Sequence, residues 1–402
     1  MKKLCLCIII LTLLLFASCD RAQQEYKIGA IYNLEGSQSS LDVPSAKGAE
    51  CAVELVNAQG GINGRKLKLI LYDGKSDPAV IKEATQKLIF EDKVPVIIGF
   101  SDTDMVLASA PIAAQNDVIF ITSGATSPKL PEQVPTYLFL SCFGDNVQSA
   151  VLAEYAYERL GLKSCYVVTD EEMDFTKLLS RYFKERYSEL GGKIVKESFF
   201  KGGAKDYSKF ISETRELDPQ PDMLFISAGP DDVGNIIAQF RAAGIIQPIF
   251  GGDSYDTPLL LETAGQKTND VYYTTHFLVE EYADNIYFTT PPVNNQEVAQ
   301  EPIIRYITAY KEKYDTLPSS SFAALGYDAV MLVAGIYQRA VSMESEELMR
   351  MLSNTKDFAG VTGVLSYVNG QRIPQKGVTL IKIQNGELVF LESLVPTKVP
   401  NP

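Results

Sequence analysis

The chain of 402 residues is 46 % hydrophobic, 22 % charged and 10 % aromatic, which predicts two domains or three, each with ample core. Its 28 Gly and 20 Pro are close to average usage for this length, so collagen-like and disordered readings fail. A net charge of −13 argues against nucleic acid as a partner, and a single histidine, His276, excludes multi-histidine metal sites and leaves any Ser-His or Cys-His mechanism hanging on one residue.

At the amino end, Lys2 and Lys3 precede an apolar run from Leu4 to Ala17 broken only by Thr12. The run is shorter than the roughly 18–20 residues of a spanning helix and reads as an export signal over residues 1–18. Its exit, Phe16-Ala17-Ser18-Cys19, resembles the bacterial lipobox, with Phe16 in place of the usual Leu. That resemblance implies lipidation at Cys19, several acyl chains and stable anchoring to the outer face of the cytoplasmic membrane. The alternative is an ordinary signal peptide with an incidental cysteine. Asp20 resembles the inner-membrane retention signal of enteric lipoproteins, and residues 19–25 read as a short polar tether. Cys5 and Cys7 leave with the signal, so Cys51, Cys142 and Cys165 remain. An odd number leaves at least one free thiol, and no disulfide framework is implied.

From Tyr26 onward, short β-branched runs alternate with amphipathic helices. Strands are predicted at residues 27–31, 66–72, 94–99 and 118–122, with helices at 45–57, 78–90 and 105–115. The pattern restarts with strands at 165–169, 193–198, 223–227, 248–250 and 271–275 and helices at 176–190, 207–216 and 231–243. Such βαβ series demand parallel sheets covered on both faces, so the expected fold class is α/β with two doubly wound lobes. The tail reads as helices at 322–340 and 346–352, then antiparallel strands at 364–367, 378–383 and 388–392.

Ligands of open α/β sheets sit beyond the carboxyl ends of the strands. Two such ends offer hydroxyls and backbone N–H groups to a small carboxylate: Phe100-Ser101-Asp102-Thr103-Asp104 and Ser123-Gly124-Ala125-Thr126. Plain helix capping by the same residue types competes with that reading. In the second lobe, Phe250-Gly251-Gly252-Asp253-Ser254-Tyr255 sets an acid at a strand end, suited to an ammonium or to capping a turn. Asp170-Glu171-Glu172-Met173-Asp174-Phe175 reads as a solvated acidic loop with Phe175 facing the cleft.

Asn57-Ala58-Gln59-Gly60-Gly61-Ile62-Asn63-Gly64-Arg65-Lys66-Leu67, with Tyr72-Asp73 and Ser76-Asp77-Pro78 after it, resembles the opening of the leucine/isoleucine/valine-binding protein family. These are type I periplasmic solute-binding proteins of ABC importers. The resemblance runs through residues 122–126 with Pro128, Asp174-Phe175-Thr176-Lys177, Gly251-Gly252-Asp253, Ala324-Leu325-Gly326-Tyr327-Asp328-Ala329 and Gly360-Val361-Thr362-Gly363. It implies two lobes joined by three crossings, with lobe one at 26–143 plus 277–363 and lobe two at 144–276 plus 364–402. By the same resemblance, Thr103 and Thr126 bind a ligand carboxylate, helped by backbone groups of Gly124 and Ala125. Asp253 then pairs with an α-ammonium, while Leu41 and Phe175 pack on the ligand's side chain. Three departures point to a pocket that is wider or suited to a more cationic ligand. Ala228-Gly229-Pro230-Asp231 lacks a tyrosine common in the family, Asp102 and Asp104 flank Thr103, and Ser123 replaces a proline.

The function so implied is an extracytoplasmic, lipid-anchored, monomeric solute-binding protein that hands an amino acid or similar small molecule to an ABC permease. It needs no catalytic residue, metal or cofactor. An enzyme would have to pair Asp253 with Asp102 or Asp104, and the sequence has no nucleophile elbow, phosphate loop or dinucleotide fingerprint. A regulatory or sensory lipoprotein of the same fold that binds a partner protein is the second alternative. His276 fits either a packed hinge residue or a pH-sensitive one.

Overall fold

A computed structural model describes residues 25–282, 285–289 and 300–402. The expected export signal, Cys19 and all but the last residue of the tether lie outside the described residues. The first lobe is built from β1 (Tyr26–Tyr32), α1 (Ser39–Ala58), β2 (Leu67–Asp73), α2 (Pro78–Phe90), β3 (Val96–Gly99), α3 (Thr103–Gln115), β4 (Ile119–Thr122), α4 (Leu130–Gln133) and β5 (Leu138–Leu140). Its strands pair in parallel in the order β2-β1-β3-β4-β5. The central strands are buried end to end, as a sheet covered on both faces requires.

Local chemistry sets the joints. Asp77 caps α2 through Ala79 N–H at 2.7 Å, with Pro78 at the first helical position. Between α1 and β2, Ile62 and Arg65 exchange backbone hydrogen bonds at 2.8 and 3.0 Å across Asn63 and Gly64. Both of those residues have positive φ, 50° and 77°, as the tightest hairpin turn demands. This is the physical content of the Gly/Asn-rich motif.

The second lobe runs α5 (Asp145–Glu154), β6 (Ser164–Asp170), α6 (Asp174–Glu189), β7 (Lys193–Phe200), α7 (Ser208–Glu216), β8 (Met223–Ser227), α8 (Pro230–Ala242), β9 (Ile249–Gly251), α9 (Pro258–Ala264) and β10 (Val271–Thr275). The chain then returns to lobe one with a hairpin of β11 (Leu278–Tyr282) and β12 (Asn285–Thr289), followed by α10 (Gln300–Tyr314), α11 (Ser321–Arg339) and α12 (Ser345–Ser353). A small pair, β13 (Phe358–Gly360) and β14 (Gly363–Leu365), precedes β15 (Val378–Gln384) and β16 (Glu387–Leu394). The second sheet has the order β16-β15-β10-β9-β8-β6-β7. It is parallel except at one edge, where β15 and β16 run antiparallel, as expected of the tail strands at 378–383 and 388–392.

Two further expectations change. Helix α1 begins at Ser39 rather than 45 and carries Pro44 inside it. Its first turn is held by the Asp42 carboxylate, which accepts from Asn33 N–H at 2.9 Å and Ser101 N–H at 2.8 Å. The third crossing lies beyond residue 363. Leu365 and Tyr367 belong to the lobe-one core, and Arg372 C=O accepts from Leu140 N–H at 2.9 Å. The Arg372 guanidinium also donates to Val134 C=O at 2.8 Å, so the chain stays on lobe one until it reaches β15. Cys51, Cys142 and Cys165 are buried free thiols, and no described helix is long and apolar enough to cross a membrane.

Helices α1 and α11 meet backbone to backbone at two glycines. A Cβ at Gly48 would stand 1.7 Å from Ala323 C=O, and one at Gly326 would stand 1.9 Å from Ser45 C=O. Gly48→Ala and Gly326→Ala should each destabilise the protein by about 3 kcal/mol, the upper part of the range for forced overpacking. Gly335→Ala on the same helix α11 meets nothing within 4 Å and should stabilise by up to about 1 kcal/mol. Denaturant unfolding of the three variants checks the contrast, and equal losses would contradict the close packing.

Candidate functional site: the interlobe cleft

The lobes stand closed on each other. Asp104 at the start of α3 accepts across the gap from Asp174 N–H at the start of α6, at 3.3 Å. Near the hinge, Asp256 of lobe two accepts from Ser321 N–H at 2.9 Å and so serves the first turn of α11 in lobe one. Between these contacts lies a cavity of about 10 Å³, the space for about one water, lined by residues of both lobes. Lobe one contributes Gln38, Leu41, Ser101, Asp102 and Phe322 to it. Lobe two contributes Met173, Phe175, Pro230, Asp253 and Ser254.

Of the residues expected at a site, Leu41, Phe175 and Asp253 line this cavity, and all three are buried. Thr103 lies beside it, 1 % exposed, with a hydroxyl that meets no partner. Gly124 packs next to it, since a Cβ there would touch Phe322 and Ser101. Of the Gly124 and Ala125 backbone groups expected to help bind a ligand carboxylate, the N–H groups have partners within the lobe. Gly124 N–H donates to Phe100 C=O at 3.1 Å, and Ala125 N–H donates to the Thr122 hydroxyl at 3.0 Å. Thr126 faces the Asp145 carboxyl, whose pKa its hydroxyl lowers, and its C=O accepts from Asp145 N–H at 2.7 Å. The loop expected to be wholly solvated is part structural: buried Asp170 accepts from Glu172 N–H at 3.0 Å and Gly202 N–H at 3.1 Å.

Asp253 does not cap its own turn. Its Oδ1 accepts from Gln148 Nε2 at 2.9 Å and its Oδ2 lies 3.0 Å from His276 Nε2. His276 is stacked on Phe143 at 3.9 Å between centroids, and burial lowers its pKa, so the ring is neutral. With Nε2–H donating to the carboxylate, Nδ1 is an acceptor, and it has no partner. The Asp145 Oδ1 also accepts from Gln148 Nε2, at 3.0 Å, while its Oδ2 has none. Asp102 caps α3 through Oδ1, from Asp104 N–H at 2.9 Å and Met105 N–H at 3.2 Å. Its Oδ2 is buried without a partner. Of these unmet atoms, Asp102 Oδ2 belongs to a residue of the cavity wall.

The sequence reading passed over Gln148, Asp145, Ser254 and Phe322, and it took Asp102 as a flanking charge rather than a wall of the cavity. Gln148 and Asp145 lie on α5, where no strand-end motif drew attention to them. Among the described residues no group of His, Cys, Asp and Glu side chains is arranged to hold a metal ion.

The profile of the periplasmic binding protein family matches residues 25–387. The chain belongs to this family. Leu/Ile/Val-binding protein homolog 3 of Brucella melitensis is 24 % identical over 94 % of the chain and 96 % of its own length. The branched-chain amino acid transporter substrate-binding protein LivJ of Streptococcus pneumoniae, solved in complex with isoleucine, is 29 % identical. Its structure superposes with a TM-score of 0.82, covering 93 % of this chain and all of that one. The leucine-binding protein LivK of Thermotoga maritima is 28 % identical with a TM-score of 0.80, over 92 % of this chain and 99 % of its own. The type I fold and kinship with the leucine/isoleucine/valine-binding proteins thus hold, and a solute-binding family places the work outside the cytoplasm.

This periplasmic binding protein buries carboxyls that prefer to hold protons. Burial pushes Asp42 up to about 6. Burial, with the charge of Asp104, pushes Asp102 up to about 7. Burial, with the charge of Asp253, pushes Asp145 up to about 8. The unfolded chain releases these protons near its ordinary carboxyl value, 3.8, so the native state binds more protons in between. Their stabilising contribution is therefore complete below about pH 4 and is lost as pH rises through about 6 to 8. The melting temperature of the ligand-free protein should fall between about pH 5.5 and pH 8.5, and Asp145→Asn should flatten the upper part of that fall. A melting temperature that rises over the same range would contradict the burial of these groups.

Proposed function

We propose that this protein is exported, anchored through lipidated Cys19, and captures an amino acid or related small molecule between its lobes for delivery to an ABC permease. The observation that carries this reading is the unmet buried groups on and beside the interlobe cavity: the Ser101 hydroxyl and Asp102 Oδ2 on its wall, with the Thr103 hydroxyl next in the chain. Leu41, Phe175 and Phe322 beside them offer an apolar wall for a side chain. Closing two lobes around a polar ligand removes water, so each hydrogen bond gains strength and each lone group finds its partner. No bond need be made or broken. Isoleucine in the S. pneumoniae relative and leucine in the name of the T. maritima one support an amino-acid-sized ligand.

Thr103, Thr126, Asp253, Leu41 and Phe175 are the residues we assign to ligand contact or to holding that contact in place. With a ligand at about 1,000 times its dissociation constant, the protein should gain about 4 kcal/mol of stability. A thermal-shift screen of amino acids, amides, polyamines and small carboxylates reads this directly, and the gain should disappear in Asp253→Ala. Silence across the screen, with no small molecule carried through purification in native mass spectrometry, would favour the regulatory lipoprotein. In a separate test of the anchor, Cys19→Ser should move the exported protein from the membrane fraction to the soluble one. An unchanged membrane fraction would refute lipid attachment at Cys19.

A further inference from the structure

The cavity wall holds two carboxylates, Asp102 and Asp253, and no lysine or arginine. Asp102 is 4 % exposed, and its free Oδ2 belongs to a side chain on that wall. Its other oxygen already occupies the N–H groups of Asp104 and Met105, the donors that the start of α3 could otherwise have offered to a ligand's carboxylate. An anion is thus met by an anion of the protein's own. Nearby, the neutral His276 Nδ1 is a further acceptor without a donor. The Ser101 and Thr103 hydroxyls can act as acceptors as well. No basic side chain stands on the wall to meet a ligand anion, while Asp102 Oδ2 and these acceptors can meet a proton-bearing group.

Asp253 is already served by Gln148 and His276, so the carboxyl left without a partner on the wall is that of Asp102, which a cation beside it would hold ionised. The carboxylates are not grouped to share a metal ion. The compensating cation is therefore molecular, and the apolar wall of Leu41, Phe175 and Phe322 suits an aliphatic stem behind it. Resting on the reading of the cleft as a ligand trap, we propose that its ligand is a cationic amine or guanidine whose charged group donates to Asp102 Oδ2.

The test is calorimetric titration of the purified protein with arginine, lysine, ornithine, agmatine and putrescine, set against leucine, isoleucine, valine and glutamate. At least one of the five cations should bind, and the four uncharged or acidic ligands should bind at least tenfold more weakly. Asp102→Asn keeps a good helix cap and removes the charge, so it should weaken the cation roughly tenfold or more, the scale of a buried charge-assisted hydrogen bond. Its unfolding curve, measured alongside, shows whether the variant folds. If it does not, raising the salt concentration over the wild type leaves the panel's order of preference as the deciding result. Tight binding of leucine, isoleucine or valine with none of the cations would overturn the charge assignment and leave the ligand trap standing. No binding by any member would overturn both.

Discussion

One side-chain amide ties the cleft to the hinge. Gln148 Nε2 donates to Asp145 and to Asp253, while its Oε1 accepts from Asp253 N–H at 3.1 Å and from the Thr274 hydroxyl at 2.7 Å. Asp145 opens the helix just after the first crossing, and Thr274 is the last residue but one of the strand just before the second. Asp253 stands on the cavity wall. Buried without exposure, the amide has its donor and acceptor atoms both engaged, and removing it would take from Asp145 its Gln148 donor and leave the Asp253 carboxylate with His276 alone. The position of Asp253, and through it of His276, depends on this one residue.

The other joints follow the same rule of a buried charge held at a crossing. Lys376 donates to Ser141 C=O at 3.0 Å and to the Thr362 hydroxyl, fastening the third crossing to the first. Asp328 on α11 accepts from Val361 N–H and Thr362 N–H, each at 2.8 Å, and so fixes the turn on which Lys376 rests. Burial lowers the Lys376 pKa and raises that of Asp328, each moderated by the other's charge. Such groups are costly to bury unless every partner is present, so they define one geometry of the hinge rather than adding much net stability. Asp102 Oδ2 and Asp145 Oδ2 are carboxyl atoms to which this network gives no protein partner.

The alternation of strands and helices was legible because its periodicities are strong: residues 78–90, 223–227 and 271–275 form the very elements the pattern predicts. Helix α5 was not legible. Asp145, Asn146, Gln148 and Ser149 are all buried, so the helix has no polar face turned to solvent and no period to read. Pro44 hid the start of α1, because a proline inside a helix is normally a stop, and here tertiary hydrogen bonds to Asp42 outweigh that cost. The third crossing was placed too early because the Gly360-Val361-Thr362-Gly363 motif marks a turn but not the pairing of Arg372 with β5 that follows. Near the cavity, strand-end logic drew attention to Thr103, Phe175 and Asp253, since a parallel sheet delivers its carboxyl ends to one place, and the family resemblance drew attention to Leu41. It could not tell that the Gly124 and Ala125 N–H groups were already taken, because hydrogen-bond partners distant in sequence leave no local pattern.

The central claim is that a small molecule held between the lobes is what completes this polar cluster. Small-angle X-ray scattering of the purified protein, with and without saturating amounts of each amino acid and amine in the titration panel, tests it most directly. The account predicts that every compound that binds also reduces the radius of gyration, as lobes that part in its absence close over it. Calorimetric binding with no change in the radius of gyration would place the ligand elsewhere on the protein and contradict the account.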